Sequence, residues 1–133
     1  MIIVSVIVPF YNSSRTIKST LNSIIKQSFK DFECIIINDD SNDNSLEIVE
    51  NFIAYDERFK VLNQKKKGVV SARNLGIKKS QGRFITFLDA DDLWHKDFLK
   101  ESIFFRNKFN YPLPITHTSY IRFSQKKENI NLF

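Results

Sequence analysis

Cysteine, glycine, proline, tryptophan and methionine are all scarce in this chain of 133 residues: one Cys, three Gly, three Pro, one Trp and one Met. A lone Cys34 excludes an intrachain disulfide and fits a reducing compartment. With Gly and Pro so few, no linker, internal repeat or low-complexity segment is present. No apolar run approaches the roughly 20 residues that a membrane-spanning helix needs. The apolar start, Met1 to Val8, has no basic n-region and stops at Pro9, so it has neither the length of a span nor the layout of a signal peptide. Charge is not massed either: 20 basic and 15 acidic residues leave a net charge of +5. The only tight basic run is Lys65-Lys66-Lys67, which reads as a solvated loop. Such a balance suits an anionic ligand or an anionic membrane surface and argues against nucleic acid.

Phenylalanine is what the chain has in excess, with 13 residues. That predicts many bulky core contacts, or an apolar face that a partner chain or a second copy covers. At 42% hydrophobic and 26% charged, the composition is that of one globular domain with a proper core.

Strand-like and helix-like patterns alternate throughout. Ile3 to Val8 predicts a strand, followed by a turn over Pro9 to Ser14. Ile17, Leu21, Ile24 and Ile25 then recur at the spacing of one helix face. Glu33 to Asn38 predicts the second strand, and the polar loop Asp39 to Asn44 leads to a helix carrying Leu46, Val49 and Ile53. Lys60 to Asn63 is a short third strand. Gly68 opens a helix over about Val70 to Lys79 that stops before Gly82. Phe84 to Leu88, free of charge, predicts a fourth strand buried on both faces. A helix over about Lys96 to Lys108 follows, with Phe98, Leu99, Ile103 and Phe105 toward the core. Pro112 and Pro114 end it, and Ile115 to Phe123 predicts a fifth strand. Repeated β–α units predict an α/β fold, a Rossmann-like, mostly parallel sheet flanked by helices. One domain is expected over 1–123, with a polar tail over 124–133.

The fourth strand ends in Asp89, Asp91 and Asp92, three carboxylates within four residues. Like charges this close repel, and a divalent cation at the carboxyl end of a strand relieves them. Hard oxygen ligands with no His or Cys beside them point to Mg2+ or Mn2+ rather than zinc. The alternative is a solvated acidic turn in which Asp92 caps the next helix.

Two other strand ends carry polar residues that meet at the same edge of such a sheet. Pro9-Phe10-Tyr11-Asn12 follows the first strand, and Asp39-Asp40-Ser41 follows the second. Asp39 is suited to accept a hydrogen bond from a ring N–H, and Tyr11 to pack against a planar ring. N-capping of the next helix is the alternative for Asp39 and Asp40. In Gly68-Val69-Val70-Ser71-Ala72-Arg73-Asn74-Leu75-Gly76, Gly68 permits a tight turn. Ala72 and Gly76 share one helix face and admit close approach by backbone or ligand. Arg73 offers a planar donor fork to a base carbonyl or a phosphate, or is a plain surface arginine.

Val4 to Asn12, Ile35 to Ser45, Gly68 to Gly76 and Phe87 to Asp92, in that order, resemble the family-two inverting glycosyltransferases. The resemblance runs from about Val4 to Trp94 and more weakly to Tyr120. It implies a GT-A fold, a nucleotide-diphosphate sugar donor such as a UDP-sugar, and Mn2+ or Mg2+ as cofactor. Matched position by position, Pro9 and Tyr11 line the nucleotide pocket. Asp39 is the carboxylate that bonds the base, and Arg73 is the arginine on the nucleotide side. Asp89 is the first acid of the D-x-D motif, near the ribose and metal, and Asp91 is its last acid and the direct metal ligand. The resemblance further implies an inverting transfer to a glycan or lipid-linked acceptor in bacterial polysaccharide or lipooligosaccharide assembly. The expected place is the cytoplasm, peripherally at the inner face of the membrane.

Two departures stand out. Ser13 and Ser14 occupy positions where the family often has an acid. The family's general base lies well downstream of the D-x-D motif, whereas the only acids after Asp92 are Asp97, Glu101 and Glu128. None is assigned as catalytic. The chain therefore reads as a donor-binding half with its acceptor half missing, and a truncated, inactive nucleotide-sugar-binding fragment is the alternative. A phosphoacceptor receiver domain needs its acid pair after the first strand, where Asn12 stands here. An aspartyl phosphatase needs its Asp-x-Asp on the first strand, and here that motif comes late.

Overall fold

The computed structural model describes residues 2–108, 121–122 and 131–132. They fall into two units, Met1–Lys100 and Glu101–Phe133. In the first unit β1 (Val4–Phe10), β2 (Phe32–Asp39), β3 (Phe59–Gln64) and β4 (Phe84–Phe87) form one sheet in the order β3-β2-β1-β4. Every pairing in it is parallel. Helices α1 (Ile17–Ile25), α2 (Ser45–Ile53) and α3 (Val69–Lys79) make the successive crossovers. A fourth helix, α4 (Phe98–Lys108), begins at the end of the first unit. In the second unit β5 (Ile121–Arg122) pairs antiparallel with β6 (Asn131–Leu132). The expected α/β fold with a parallel sheet is the one observed. Most of the expected strand over 115–123, both prolines after α4, the boundary near 123 and Glu128 lie outside the described residues.

β1 and β2 are buried along their whole length, as inner strands of a parallel sheet are, and the buried polar pair within them is joined by the Ser5 hydroxyl donating to Glu33 Oε1 at 2.6 Å. Ile7, Ile35 and Ile37 on one face form a core cluster with Ala72 of α3, against which Leu62 and Leu75 pack. Val6, Val8 and Ile36 face the other way and are equally buried. Each such side chain removed from water contributes about 1.5–3 kcal/mol before entropy is set against it.

The smallness of Gly76 is a matter of helix–sheet packing. A Cβ there would lie 2.5 Å from Cγ2 of Ile7. Ala72 is fully buried on the same helix face. Both residues thus face the sheet, which brings α3 close over β1.

β4 departs from expectation. It alternates, with Ile85 and Phe87 42% and 41% exposed, rather than being buried on both faces. Among the described strands it is an edge, paired with β1 alone, and α3 lies over β1 and β2. The absence of charge marked a strand correctly but not its burial. The last helix also differs. It starts at Phe98 rather than near Lys96, and Phe105 is exposed, not turned toward a core. Six residues beyond the buried Leu99, Phe105 is rotated by about 120° on the helix. It sits edge-to-face with the exposed Phe104 instead.

The strand order positions the site. From β1 the chain moves outward through β2 and β3, then returns to place β4 on the other side of β1. The reversal falls between β1 and β4, and the crevice at their carboxyl ends is where open α/β sheets bind ligands.

Candidate functional site

The loops after β1 and β2 are bound to each other. Asn12, with φ 49°, and Asp40, with φ 65°, take the left-handed conformation that Asn and Asp tolerate best. The Asn12 backbone N–H donates to Ser41 Oγ at 3.0 Å, and the Asn42 N–H donates to Asn12 Oδ1 at 2.9 Å. The N–H of Ser13 donates to Ser45 Oγ at 2.7 Å, and that of Ser14 to Asp43 Oδ2 at 3.2 Å. Asp43 also accepts from the backbone N–H and the hydroxyl of Ser45. Burial would raise the Asp43 carboxyl, but these bonds from Ser45 and Ser14 outweigh it and hold the group at about 2. The two serines that depart from the family pattern are thus part of a loop–loop joint.

Asp39, at the end of β2, is 5% exposed. It does not cap α2, which begins at Ser45 behind Asn44. Its Oδ1 accepts from Gln64 Nε2 at 2.7 Å and from the Lys67 N–H at 2.9 Å, while Oδ2 accepts from the Gly68 N–H at 2.9 Å. Desolvation pushes this carboxyl up, yet the bonds from Lys67, Gln64 and Gly68, with Lys66 nearby, bring it below the ordinary carboxylate value. Gly68 takes φ 85°, as the tight turn into α3 requires. The loop so pinned carries Lys66 to Tyr11. Its Nζ lies 4.2 Å from the ring centroid and donates to the Tyr11 hydroxyl at 3.1 Å.

The acidic turn after β4 is anchored from beneath. The buried Thr20 of α1 donates through Oγ1 to the Ala90 carbonyl at 2.9 Å, and the Leu88 N–H donates to the Ile7 carbonyl at 3.0 Å. Asp89 is thereby aimed at α3, where Arg73 Nη2 donates to Asp89 Oδ1 at 2.6 Å. Asp91 is exposed beside it. Asp92 does not cap the following helix. Its N–H closes the turn onto the Asp89 carbonyl at 3.0 Å, and α4 starts only at Phe98. Burial, then the charges of Asp91 and Asp89, push the Asp92 carboxyl up.

Pro9, Tyr11, Arg73, Asp89 and Asp91 line one open cleft of about 730 Å³ at the β1–β4 switch point. Asp39 is not in its lining; its bonds from Lys67 and Gly68 hold the turn into α3, and Oδ2, with one bond, keeps acceptor capacity. Arg15 and Asp43 also line the cleft and were not singled out in the sequence, nor was Lys66 beyond its basic run. Their only sequence signal is position, one or two residues from the Tyr11–Ser14 turn or within the Asp39 and Lys65–Lys67 loops. Among the described residues no three His, Cys, Asp or Glu side chains come together as a self-sufficient metal cage. Two exposed hard carboxylates on one turn instead fit a cation that takes its remaining ligands from an anionic substrate and water.

Residues 5–121 match the family described as Glycosyl transferase family 2. An uncharacterized glycosyltransferase of Rickettsia bellii is 39% identical over 123 residues, which are 92% of this chain and 17% of that protein. The Escherichia coli protein WfgD, a UDP-Glc:alpha-D-GlcNAc-diphosphoundecaprenol beta-1,3-glucosyltransferase, is 41% identical over 76% of this chain and 40% of its own. Among solved structures, Staphylococcus aureus TarS 1-349 in complex with UDP superimposes with a TM-score of 0.75 at 36% identity. That match covers 80% of this chain and 32% of that one. The chain thus spans less than half the length of these relatives. With its parallel sheet and with the acidic turn, the arginine and the tyrosine gathered where the strand order reverses, the chain belongs to glycosyl transferase family 2.

Proposed function

We propose that this chain is the donor-binding part of a metal-dependent, inverting glycosyltransferase that uses a UDP-sugar and a glycan or lipid-linked acceptor. The observation that carries the reading is the meeting of Tyr11, Arg73, Asp89 and Asp91 in one cleft, in a chain 36% identical to a structure holding UDP. Tyr11 packs against the base once Lys66 moves aside. Asp39 has acceptor capacity left on Oδ2, which takes the N–H of the uracil ring. Arg73 donates to the nucleotide. Asp91 and Asp89 are the residues that would hold a Mg2+ or Mn2+ ion. When bound, that ion neutralises the diphosphate and stabilises the leaving nucleoside diphosphate.

In the transfer, the acceptor hydroxyl oxygen bonds the anomeric carbon from the side opposite the diphosphate. The bond from that carbon to the diphosphate oxygen breaks and its electron pair leaves with the nucleotide. The hydroxyl proton passes to a general base. No base is assigned here. Of the cleft's carboxylates, Asp43 is engaged by Ser14 and Ser45, and Asp89 and Asp91 form the cation pair. Asp97 is hydrogen-bonded by the Ser28 side chain and faces His95 at 3.9 Å. This favours one second reading, a polypeptide that binds donor without transferring it. Among the described residues no helix is long and apolar enough to cross a membrane. A cytoplasmic place, peripheral at the membrane where lipid-linked acceptors reside, belongs to the same proposal.

Calorimetric titration with UDP, GDP and ADP in Mn2+ tests the donor class. Tightest binding of UDP is the expected result. Equal affinity for all three, or none for any, defeats the assignment.

A further inference from the structure

Arg73 is an arginine that uses little of its capacity. A guanidinium carries five N–H donors, and here one nitrogen meets Asp89 Oδ1 at 2.6 Å. Its Nε is buried and has no acceptor among the described residues. The Cζ sits 5.7 Å from the Phe87 ring centroid, so the side chain leans on an apolar surface. Its partner is a half-exposed acid of the very pair that fits a cation. A buried donor without an acceptor is costly and marks a place where an acceptor belongs.

Resting on the donor reading above, we propose that Arg73 and the divalent cation compete for Asp89. Without ligand, Arg73 occupies the carboxylate as a stand-in positive charge. A cation on Asp89 and Asp91 repels the guanidinium, which is only a hydrogen bond away from the same oxygen. Arg73 is then released, and its unused donors turn to the anionic or carbonyl oxygens of the donor nucleotide. Cation and nucleotide bind cooperatively as a result. The cation frees the arginine that the nucleotide needs, and the nucleotide removes the cation's competitor. Bare cation is held weakly, which keeps the site from filling unproductively.

The test uses Mn2+ alone, read by electron paramagnetic resonance of free Mn2+ in the absence of any nucleotide. Arg73→Gln is expected to tighten Mn2+ binding about fivefold, the order of a partly exposed ion pair. Arg15→Gln removes one positive charge from the same cleft without touching Asp89, and is expected to change binding by less than about twofold, since it leaves that pair intact. In an Asp89→Asn background, Arg73→Gln is expected to have no effect. The proposal is overturned if Arg73→Gln leaves Mn2+ affinity unchanged, weakens it, matches the Arg15→Gln effect or shows no Mn2+ binding at all. Titration of the unaltered protein with UDP and Mn2+ together reports separately on the donor reading. UDP binding there with no Arg73 effect on Mn2+ rejects the competition alone.

Discussion

Asp39 shows how one side chain joins frame to site. Its carboxylate ends β2 and collects three hydrogen bonds that fix the turn into α3. Asp39→Ala is expected to cost about 2–3 kcal/mol in urea unfolding, because bonds to a charged acceptor are the strong ones. The same change should weaken UDP binding while leaving affinity for Mn2+ alone nearly unaltered. Asp43 supplies a pH signature. Its carboxyl is depressed, so its contribution to stability is complete above the ordinary 3.8 and disappears as pH falls toward about 2. The stability gap between the unaltered protein and Asp43→Asn should therefore be constant near neutrality and shrink across that acid window, as thermal melts at stepped pH can show. Sequence chemistry identified the polar character of these loops, since Asp, Asn and Ser are turn-formers with strong acceptors. It could not assign the bonds. Whether Asp39 caps a helix or pins a turn depends on Lys67 and Gly68, 28 and 29 residues away.

At the scale of elements, α3 and the strand beneath it make one fitted unit. Gly76→Ala drives a methyl to 2.5 Å from Ile7. It should destabilise by about 1–3 kcal/mol, as overpacking does, and lower the melting temperature. Ile36→Ala, in a fully buried strand, should cost about 2–5 kcal/mol. Ile85→Ala on the exposed edge should cost about 1 kcal/mol or less, since much of that side chain is already in water. Strands β1 and β2 were legible because runs such as Cys34-Ile35-Ile36-Ile37 have no polar face. Phe84 to Phe87 looks the same on paper. What separates it is its place in the sheet, an outcome of strand order that no local pattern encodes. The orientation of Phe105 failed for a related reason: apolar residues at 98, 99, 103, 104 and 105 wrap around the helix rather than forming one stripe.

For the molecule as a whole, four short motifs in a fixed order carried the family: three run to the ends of β1, β2 and β4, and the fourth opens α3, whose Arg73 lines the same cleft. The acceptor side stayed illegible, since no residue after Asp92 has a motif around it and Glu128 lies outside the described residues. The central claim is that this edge binds a nucleoside diphosphate through a cation held by Asp89 and Asp91. Calorimetric titration with UDP in Mn2+ and again in EDTA, on the unaltered protein and on Asp91→Asn and Asp92→Asn, tests it most directly. The account predicts binding at least about tenfold tighter with Mn2+, given the strength of a cation acting on a diphosphate. It predicts that this gain disappears in Asp91→Asn and largely survives in Asp92→Asn. Equal UDP affinity in Mn2+ and EDTA, or an undiminished Mn2+ gain in Asp91→Asn, contradicts it.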